Sequence, residues 1–441
     1  MHCPFWLSGN ECSCERIRYK DKHFNETNNR DRLIGRKGGG QLLSYTVRPG
    51  DTLLRVARDF GISAASLLAC NPRLTEGEPM PVGIILQIPP ASDVWYTVQE
   101  GDTLQRLSEL FGIEAAAVEA ANRCCAPAKW VPGMLLRIPV GPPNRIVDAR
   151  AEYGPNELSR DCALLADRYS TAVEARSIGE SVMGKPIIAI KLGNGPRVIH
   201  ANGAFHANEW ITSVLLMAFV EDAARAAEMN LLLRAVDIKS LLTKVTLWIV
   251  PMVNPDGVQL VQEGLHVGHP LYAELLEMNR GSGRFSRWKA NVRGVDLNDQ
   301  FPAHWEEECS RRGTPGPGPR DYPGPSPLSE PEAAAMAAFT EEQQFELVLA
   351  LHTQGQEIYW NYRGYEPPGS EGIAFRLGQA SGYRPVYLTG SDAGYKDWFI
   401  QAYRKPGFTI EAGIGVNPLP LEQFDDMYDD IVKLLLEAMQ S

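Results

Sequence analysis

From residue 146 onward, short apolar runs alternate with longer stretches of helical period. Candidate strands are Ile187–Leu192, Arg197–Ala201, Lys244–Val253, Phe345–Leu351 and Phe408–Ile410. Candidate helices are Asn156–Tyr169, Trp210–Glu228, Pro331–Gln343, Ile373–Ser381 and Phe424–Met439. Strands and helices in alternation predict an α/β domain. Within it, residues 310–328 are rich in proline and glycine and read as an irregular surface excursion.

Ahead of this domain the pattern is different. Residues 1–43 are polar and charged, end near Gly38-Gly39-Gly40, and are expected to be a disordered leader. A repeat follows. Tyr45-Thr-Val-Arg-Pro-Gly-Asp-Thr-Leu53 returns as Tyr96-Thr-Val-Gln-Glu-Gly-Asp-Thr-Leu104, and Asn71, Gly83 and Ile88-Pro89 return in near-constant register as Asn122, Gly133 and Ile138-Pro139. Each copy (44–90 and 95–140) reads strand, helix, helix, strand. Asp51 or Asp102 is placed to cap the first helix, with Leu54, Val56, Ala57 and Phe60 inward in the first copy. Neither copy holds a histidine, and about 45 residues barely support a core. Gly141-Pro142-Pro143 is a short stiff linker to the third domain, 146–441.

Composition narrows the classes. The net charge of -11 supplies no basic footprint for nucleic acid. No apolar run reaches the ~18–20 residues of a membrane helix. The eight cysteines (3, 12, 14, 70, 124, 125, 162 and 309) are too irregularly spaced for a disulfide framework. Met1 to Asn10 lacks the basic start of a secretory signal, so the chain is expected in the cytoplasm. The alternative is an extracellular place reached after lysis or during sporulation.

Candidate chemistry centres on His206-Ala-Asn-Glu209. A histidine and a carboxylate three residues apart on one turn can hold a metal ion. The same spacing occurs at His23/Glu26 and His304/Glu307, but only His206 stands between an apolar strand and an apolar helix. Asn254-Pro-Asp-Gly257, His352 and Glu411 also follow candidate strands directly. Sites in open α/β sheets form at such strand ends. Two imidazoles and one carboxylate (His206, Glu209, His352) with an open position describe a catalytic zinc, one per domain. Glu411, outside the ligand set, suits a general base.

These pieces stand in the order of a known family. His206-Ala-Asn-Glu-Trp210, Val253-Asn-Pro-Asp-Gly257, Gly294-Val-Asp-Leu-Asn298, Ala350-Leu-His352 and Phe408-Thr-Ile-Glu411 resemble the motifs of zinc metallocarboxypeptidases of the carboxypeptidase A type. The resemblance implies a mixed, mostly parallel eight-stranded sheet flanked by helices. It implies substrate binding by Asn298, an electrophilic basic residue at Lys289 or its neighbour Arg287, and a mobile tyrosine at Tyr387 or Tyr395. Where the family has an arginine after this asparagine to clamp a terminal carboxylate, this chain has Asp299. A carboxylate there repels a carboxylate, so Asp299 is expected to face an ammonium group instead.

The repeats resemble LysM modules, which implies binding to N-acetylglucosamine-containing glycan beside Gly50, Asp51 and Thr52, and beside Gly101, Asp102 and Thr103. The same residues also suit turn and cap. The whole arrangement resembles bacterial γ-D-glutamyl-L-diamino acid endopeptidases. The expected activity is therefore zinc-dependent hydrolysis of peptidoglycan stem peptides between γ-D-glutamate and the diamino acid (meso-diaminopimelate or lysine). Two alternatives are a carboxypeptidase releasing one C-terminal residue and a glycan-binding protein with an inactive peptidase domain.

Overall fold

A computed structural model describes residues 145–149 and 151–441 throughout and residues 43–137 in part. The leader up to residue 42, Gly50, Phe60, the Gly141–Pro143 linker and Cys3, Cys12, Cys14, Cys70, Cys124 and Cys125 lie outside the described residues.

In each repeat the two flanking strands pair antiparallel, Leu43–Thr46 with Ile85–Ile88 and Trp95–Thr97 with Leu135–Arg137. Asp51 and Asp102 do not cap the helix that follows. Each accepts the hydroxyl of its strand tyrosine, Tyr45 or Tyr96, at 2.6 Å, and a turn N–H at 2.7 Å. The cap is the next residue: Thr52 and Thr103 Oγ1 each accept an N–H three residues on, at 3.1 Å. A hydroxyl at this place satisfies an orphan donor of the first turn, which frees the aspartate to brace the turn. Thr52 also donates to Asp425 on the C-terminal helix.

The third domain is built on one sheet. Its strands are β1 (Val173–Glu180), β2 (Pro186–Leu192), β3 (Arg197–Asn202), β4 (Val245–Val250), β5 (Leu347–His352), β6 (Glu357–Tyr359), β7 (Arg384–Val386) and β8 (Gly407–Glu411). The order across the eight-stranded sheet is β7-β6-β8-β5-β3-β4-β2-β1. The central pairs β4/β3, β3/β5 and β5/β8 are parallel, whereas β1/β2, β2/β4 and β6/β8 are antiparallel. Every residue of β4 and β5 is buried, as a strand covered on both faces requires.

Alternation along β5 sends Leu347, Leu349 and Leu351 to one core and Val348 and Ala350 to the other. The first core holds the helices Pro155–Arg168, Ile211–Glu228, Ser370–Ser381 and Phe424–Gln440. The second holds Pro331–Gln343 and Tyr395–Tyr403. The helix Ile211–Glu228 is buried without a break from Ile211 to Glu221, which explains its lack of a polar stripe.

One buried polar pair on β3 sets a pH limit. His200 is fully buried, its Nδ1 lies 3.1 Å from the Trp248 carbonyl, and its Nε2 lies 3.0 Å from the Asn202 amide nitrogen. A carbonyl only accepts, so Nδ1 carries the single proton. Burial pushes this histidine down from 6.5 to about 3. Because the folded value is the lower one, the unfolded chain takes the proton first. Stability is therefore complete above about pH 6.5 and is lost as pH falls, by up to about 1.4 kcal/mol per pH unit. Urea midpoints measured from about pH 6.5 to 4.5 should fall more steeply for the wild type than for His200→Gln. Equal slopes would assign the loss to other groups.

Candidate metal centre and its cavity

Three parallel strands carry the site at their carboxyl ends. After β3 the chain turns to present His206 and then Glu209 on a single 3-10 turn, Ala207–Glu209, before the buried helix. β5 ends on His352 and β8 on Glu411, and these two residues are register partners.

Asn254 fixes the entry to this turn. It caps the helix Pro255–Glu263 by accepting from Gly257 N at 3.0 Å, and its amide donates to the carbonyls of Phe205 (3.2 Å) and Ala290 (3.1 Å). A Cβ on Gly257 would meet Asn254 Oδ1 at 2.6 Å and Ala207 at 2.8 Å, so glycine is required by close approach. Asn254-Pro-Asp-Gly257 is thus a clamp behind the site. Asp256 continues it, taking Met183 N at 2.8 Å and Lys185 Nζ at 2.6 Å.

His206, Glu209 and His352 are 6%, 4% and 2% exposed, and their ligand atoms lie within 4.8 Å of one another. His206 Nδ1 stands 2.9 Å from Glu209 Oε1. His352 Nδ1 stands 3.0 Å from Glu209 Oε2 and 3.1 Å from His206 Nδ1. Donors about 2.0–2.1 Å from one tetrahedral ion sit about 3.3 Å apart. Two imidazole nitrogens and a carboxylate converging at this spacing fit zinc, and Thr353 and Asn417, which bond Glu209, line a neighbouring cavity.

Further groups hold the ligands. Asp296 Oδ1 lies 3.2 Å from His206 Nε2, and Lys289 Nζ lies 2.8 Å from Asp296 Oδ2. Asn417 donates to Glu209 Oε1 at 3.2 Å, and Thr353 N to Glu209 Oε2 at 3.3 Å. The carboxylate behind His206 sets which nitrogen faces the metal position. Burial works against a proton on His206, but Glu209 and Asp296 outweigh it and raise the imidazole to about 9. The site is thus electrostatically prepared for a cation, which would displace that proton. Glu411 is pushed up to about 8, first by burial and then by Glu209.

A cavity of about 640 Å³ adjoins these groups, bounded in part by Trp288, Pro319, Thr353, Tyr359, Glu411 and Asn417. Glu411 reaches it, and Lys289, 16% exposed at its side chain, acts electrostatically on His206, Glu209 and Glu411. Arg287 lines the cavity directly. Asn298 accepts from Tyr395 N at 3.2 Å.

Two expectations change. Tyr395 is no mobile tyrosine. It is fully buried, bonded to Thr340 Oγ1 at 2.8 Å and packed on Phe301 and Phe205. Tyr387 is 56% exposed and edge-on to Trp360, and it stays the candidate. Asp299 is 3% exposed and gripped by Arg312, with Nε to Oδ2 and Nη2 to Oδ1 both 2.8 Å. Its charge is turned to an arginine inside the protein and not toward a ligand.

Asp296, Asn417 and Tyr359 were not singled out in the sequence. Asp296 had a signal, since it lies inside the Gly294–Asn298 motif and a metal-bound imidazole needs a carboxylate or carbonyl behind it.

A metal centre of this composition on a mixed eight-stranded α/β sheet defines a zinc metallopeptidase. Residues 158–411 match the family model described as zinc carboxypeptidase, and residues 45–89 and 96–139 match the LysM domain. The chain belongs to the zinc carboxypeptidase family. It is 44% identical over 295 residues to gamma-D-glutamyl-L-diamino acid endopeptidase 1 of Lysinibacillus sphaericus, covering 67% of this chain and 74% of that protein. It is 26% identical over 268 residues to carboxypeptidase B of Bos taurus, covering 56% and 59% respectively. Bovine thrombin-activatable fibrinolysis inhibitor, in complex with tick carboxypeptidase inhibitor, shares the fold with a TM-score of 0.53. That match has 20% identity and covers 66% of this chain and 97% of that one.

Because Asp296 orients His206, Asp296→Asn should weaken zinc binding roughly 10- to 100-fold while leaving the fold intact. Chelator competition with circular dichroism checks this. Unchanged zinc affinity would remove Asp296 from the centre.

Proposed function

We propose that this metallopeptidase hydrolyses the amide between γ-D-glutamate and the diamino acid of peptidoglycan stem peptides, with the LysM domains holding the enzyme on N-acetylglucosamine-containing glycan. The observation that carries the reading is the Asp299–Arg312 pair. The position after Asn298 offers a buried, neutralised carboxylate where a C-terminal clamp needs a free cation. An enzyme without that clamp is suited to an internal amide. The 44% identity to a protein named for this activity supports the same substrate.

Each residue has a task in this reading. His206, Glu209 and His352 hold the zinc, which when bound polarises the scissile carbonyl and acidifies water. Glu411 takes a proton from the attacking water and returns it to the leaving amine. Its raised affinity for protons, lowered again by a neighbouring cation, suits that exchange near neutral pH. Lys289 places positive charge behind the centre, paired with Asp296, and its field favours the negative charge that develops in the reaction. Asn298 and Tyr387 remain the candidates for substrate contact.

In the LysM domains, Asp51 and Asp102 are taken up by the turn. Glycan contact then falls to the loop backbone at Gly101, which has φ +83°, to Gly50 at the same place in the first repeat, and to Thr103, whereas the Thr52 hydroxyl is engaged by Asp425. The alternative of an inactive glycan-binding protein loses ground because ligands, base and cavity occur together.

Digestion of a tetrapeptide stem by the zinc-loaded chain, read by mass spectrometry, should release the diamino acid still joined to its terminal D-alanine. Release of D-alanine alone would establish a carboxypeptidase instead. Glu411→Gln should keep zinc and lose at least about 100-fold in kcat; ordinary turnover would remove Glu411 from the base position.

A further inference from the structure

The cavity beside the metal centre has an unbalanced wall. Three arginines line it, Arg284, Arg287 and Arg320, against a single carboxylate, Glu411. All three are exposed, and none makes a side-chain hydrogen bond or ion pair among the described residues. Several other arginines of the domain are paired with carboxylates. Arg312 holds Asp299 at 2.8 Å, Arg363 holds Asp392 at 2.7 Å, Arg176 holds Glu342 at 2.7 Å and Arg293 lies 3.6 Å from Glu330. With 54 acidic residues against 43 basic ones, unpaired guanidiniums gathered on one rim stand out.

The rim is built, and it uses the proline- and glycine-rich excursion. The Pro319 carbonyl accepts from Lys289 N at 2.9 Å and from Ala290 N at 3.1 Å, which ties Arg320 to the segment carrying Arg287. Gly318 N bonds the Gly294 carbonyl at 3.0 Å, and Asp296 N bonds the Tyr322 carbonyl at 2.8 Å. A Cβ on Gly294, which has φ +71°, would meet Gly318 N at 2.6 Å, so the two segments pack at backbone distance. On the other side, the Asn279 amide holds the Arg284 carbonyl at 3.0 Å. The guanidiniums therefore stand on anchored backbone around the mouth of the site.

We propose that Arg284, Arg287 and Arg320 form a carboxylate-recognition rim, and that its principal ligand is the free α-carboxylate of a γ-linked glutamyl residue. An α-linked residue spends its main-chain carboxyl in the scissile amide. A γ-linked glutamate spends its side-chain carboxyl and keeps an anion on the same residue as the reacting carbonyl. Forked guanidiniums bind such a carboxylate through paired, charge-assisted bonds. Carboxylate recognition has thus moved from the position after Asn298, where Asp299 is neutralised, to the arginine-lined wall of the cavity. The assignment rests on the proposed γ-glutamyl activity and specifies how that bond is chosen.

The test compares two stem tetrapeptides on the zinc-loaded full chain, one with D-glutamate and one with its α-carboxamide. The wild type should prefer the acid by roughly 10- to 100-fold in kcat/KM. Arg284→Gln and Arg320→Gln should each bring that preference toward one, with zinc content and circular dichroism unchanged. Arg320→Lys should restore part of it. A preference retained in both glutamine variants, or absent in the wild type while the γ-glutamyl bond is still cut, overturns the rim and leaves the activity standing. Cleavage of neither substrate at the γ-glutamyl bond overturns both.

Discussion

Everything at this site depends on bringing two imidazoles and two carboxylates out of water to within a few ångströms of each other. His206, Glu209 and His352 are almost fully buried, and Asp296 stands 3.2 Å behind His206. Buried charges are stable only when paired or when they coordinate a metal. The parallel arrangement of β3, β5 and β8 supplies the positions, since strands running the same way end on the same edge. The Asn254 clamp, the Asn417 amide and the Lys289–Asp296 pair supply the orientation. With a cation at the centre these charges balance. Without one, a proton held on His206 takes over part of that role.

The same constraint explains the departures from a carboxypeptidase. Asp299 sits close enough to Asp296 for burial and mutual repulsion to raise it to about 7, with Arg312 pulling the other way. Such a residue needs its arginine as an internal partner and has no charge left for a substrate. The excursion that supplies Arg320 also sends Asp321 to within 3.9 Å of Lys289 and 3.5 Å of Arg312, so one loop joins the clamp region to the cavity wall. The metal support and the cavity wall are therefore tied together by backbone hydrogen bonds between residues 288–296 and 318–322.

The ligands and base were legible because each is a polar residue that ends an apolar run. The central strands and long helices were legible because buried elements carry unbroken or periodic apolar residues. What escaped had no such signal. The outer strands β6 and β7, β7 at the edge of the sheet, are three residues each, too short for a period to show. Asn417 reaches Glu209 across 208 positions of sequence from a loop with no pattern of its own. Tyr395 was a candidate only through the family resemblance, and it opens a helix whose first turn packs into the second core. The excursion reads as surface by composition and is wall by its backbone hydrogen bonds, which composition does not encode. In the repeats, a shift of one residue separated the expected cap at Asp51 from the actual cap at Thr52.

The central claim is that one zinc ion binds His206, Glu209 and His352 at this strand edge. X-ray absorption at the zinc edge on the loaded full chain addresses it directly. One zinc per chain with two imidazole nitrogens and carboxylate oxygen at about 2.0–2.2 Å is the expected result. Its imidazole signal should fall by half in His352→Ala. Sulfur ligands, or an imidazole signal indifferent to that substitution, would contradict the account.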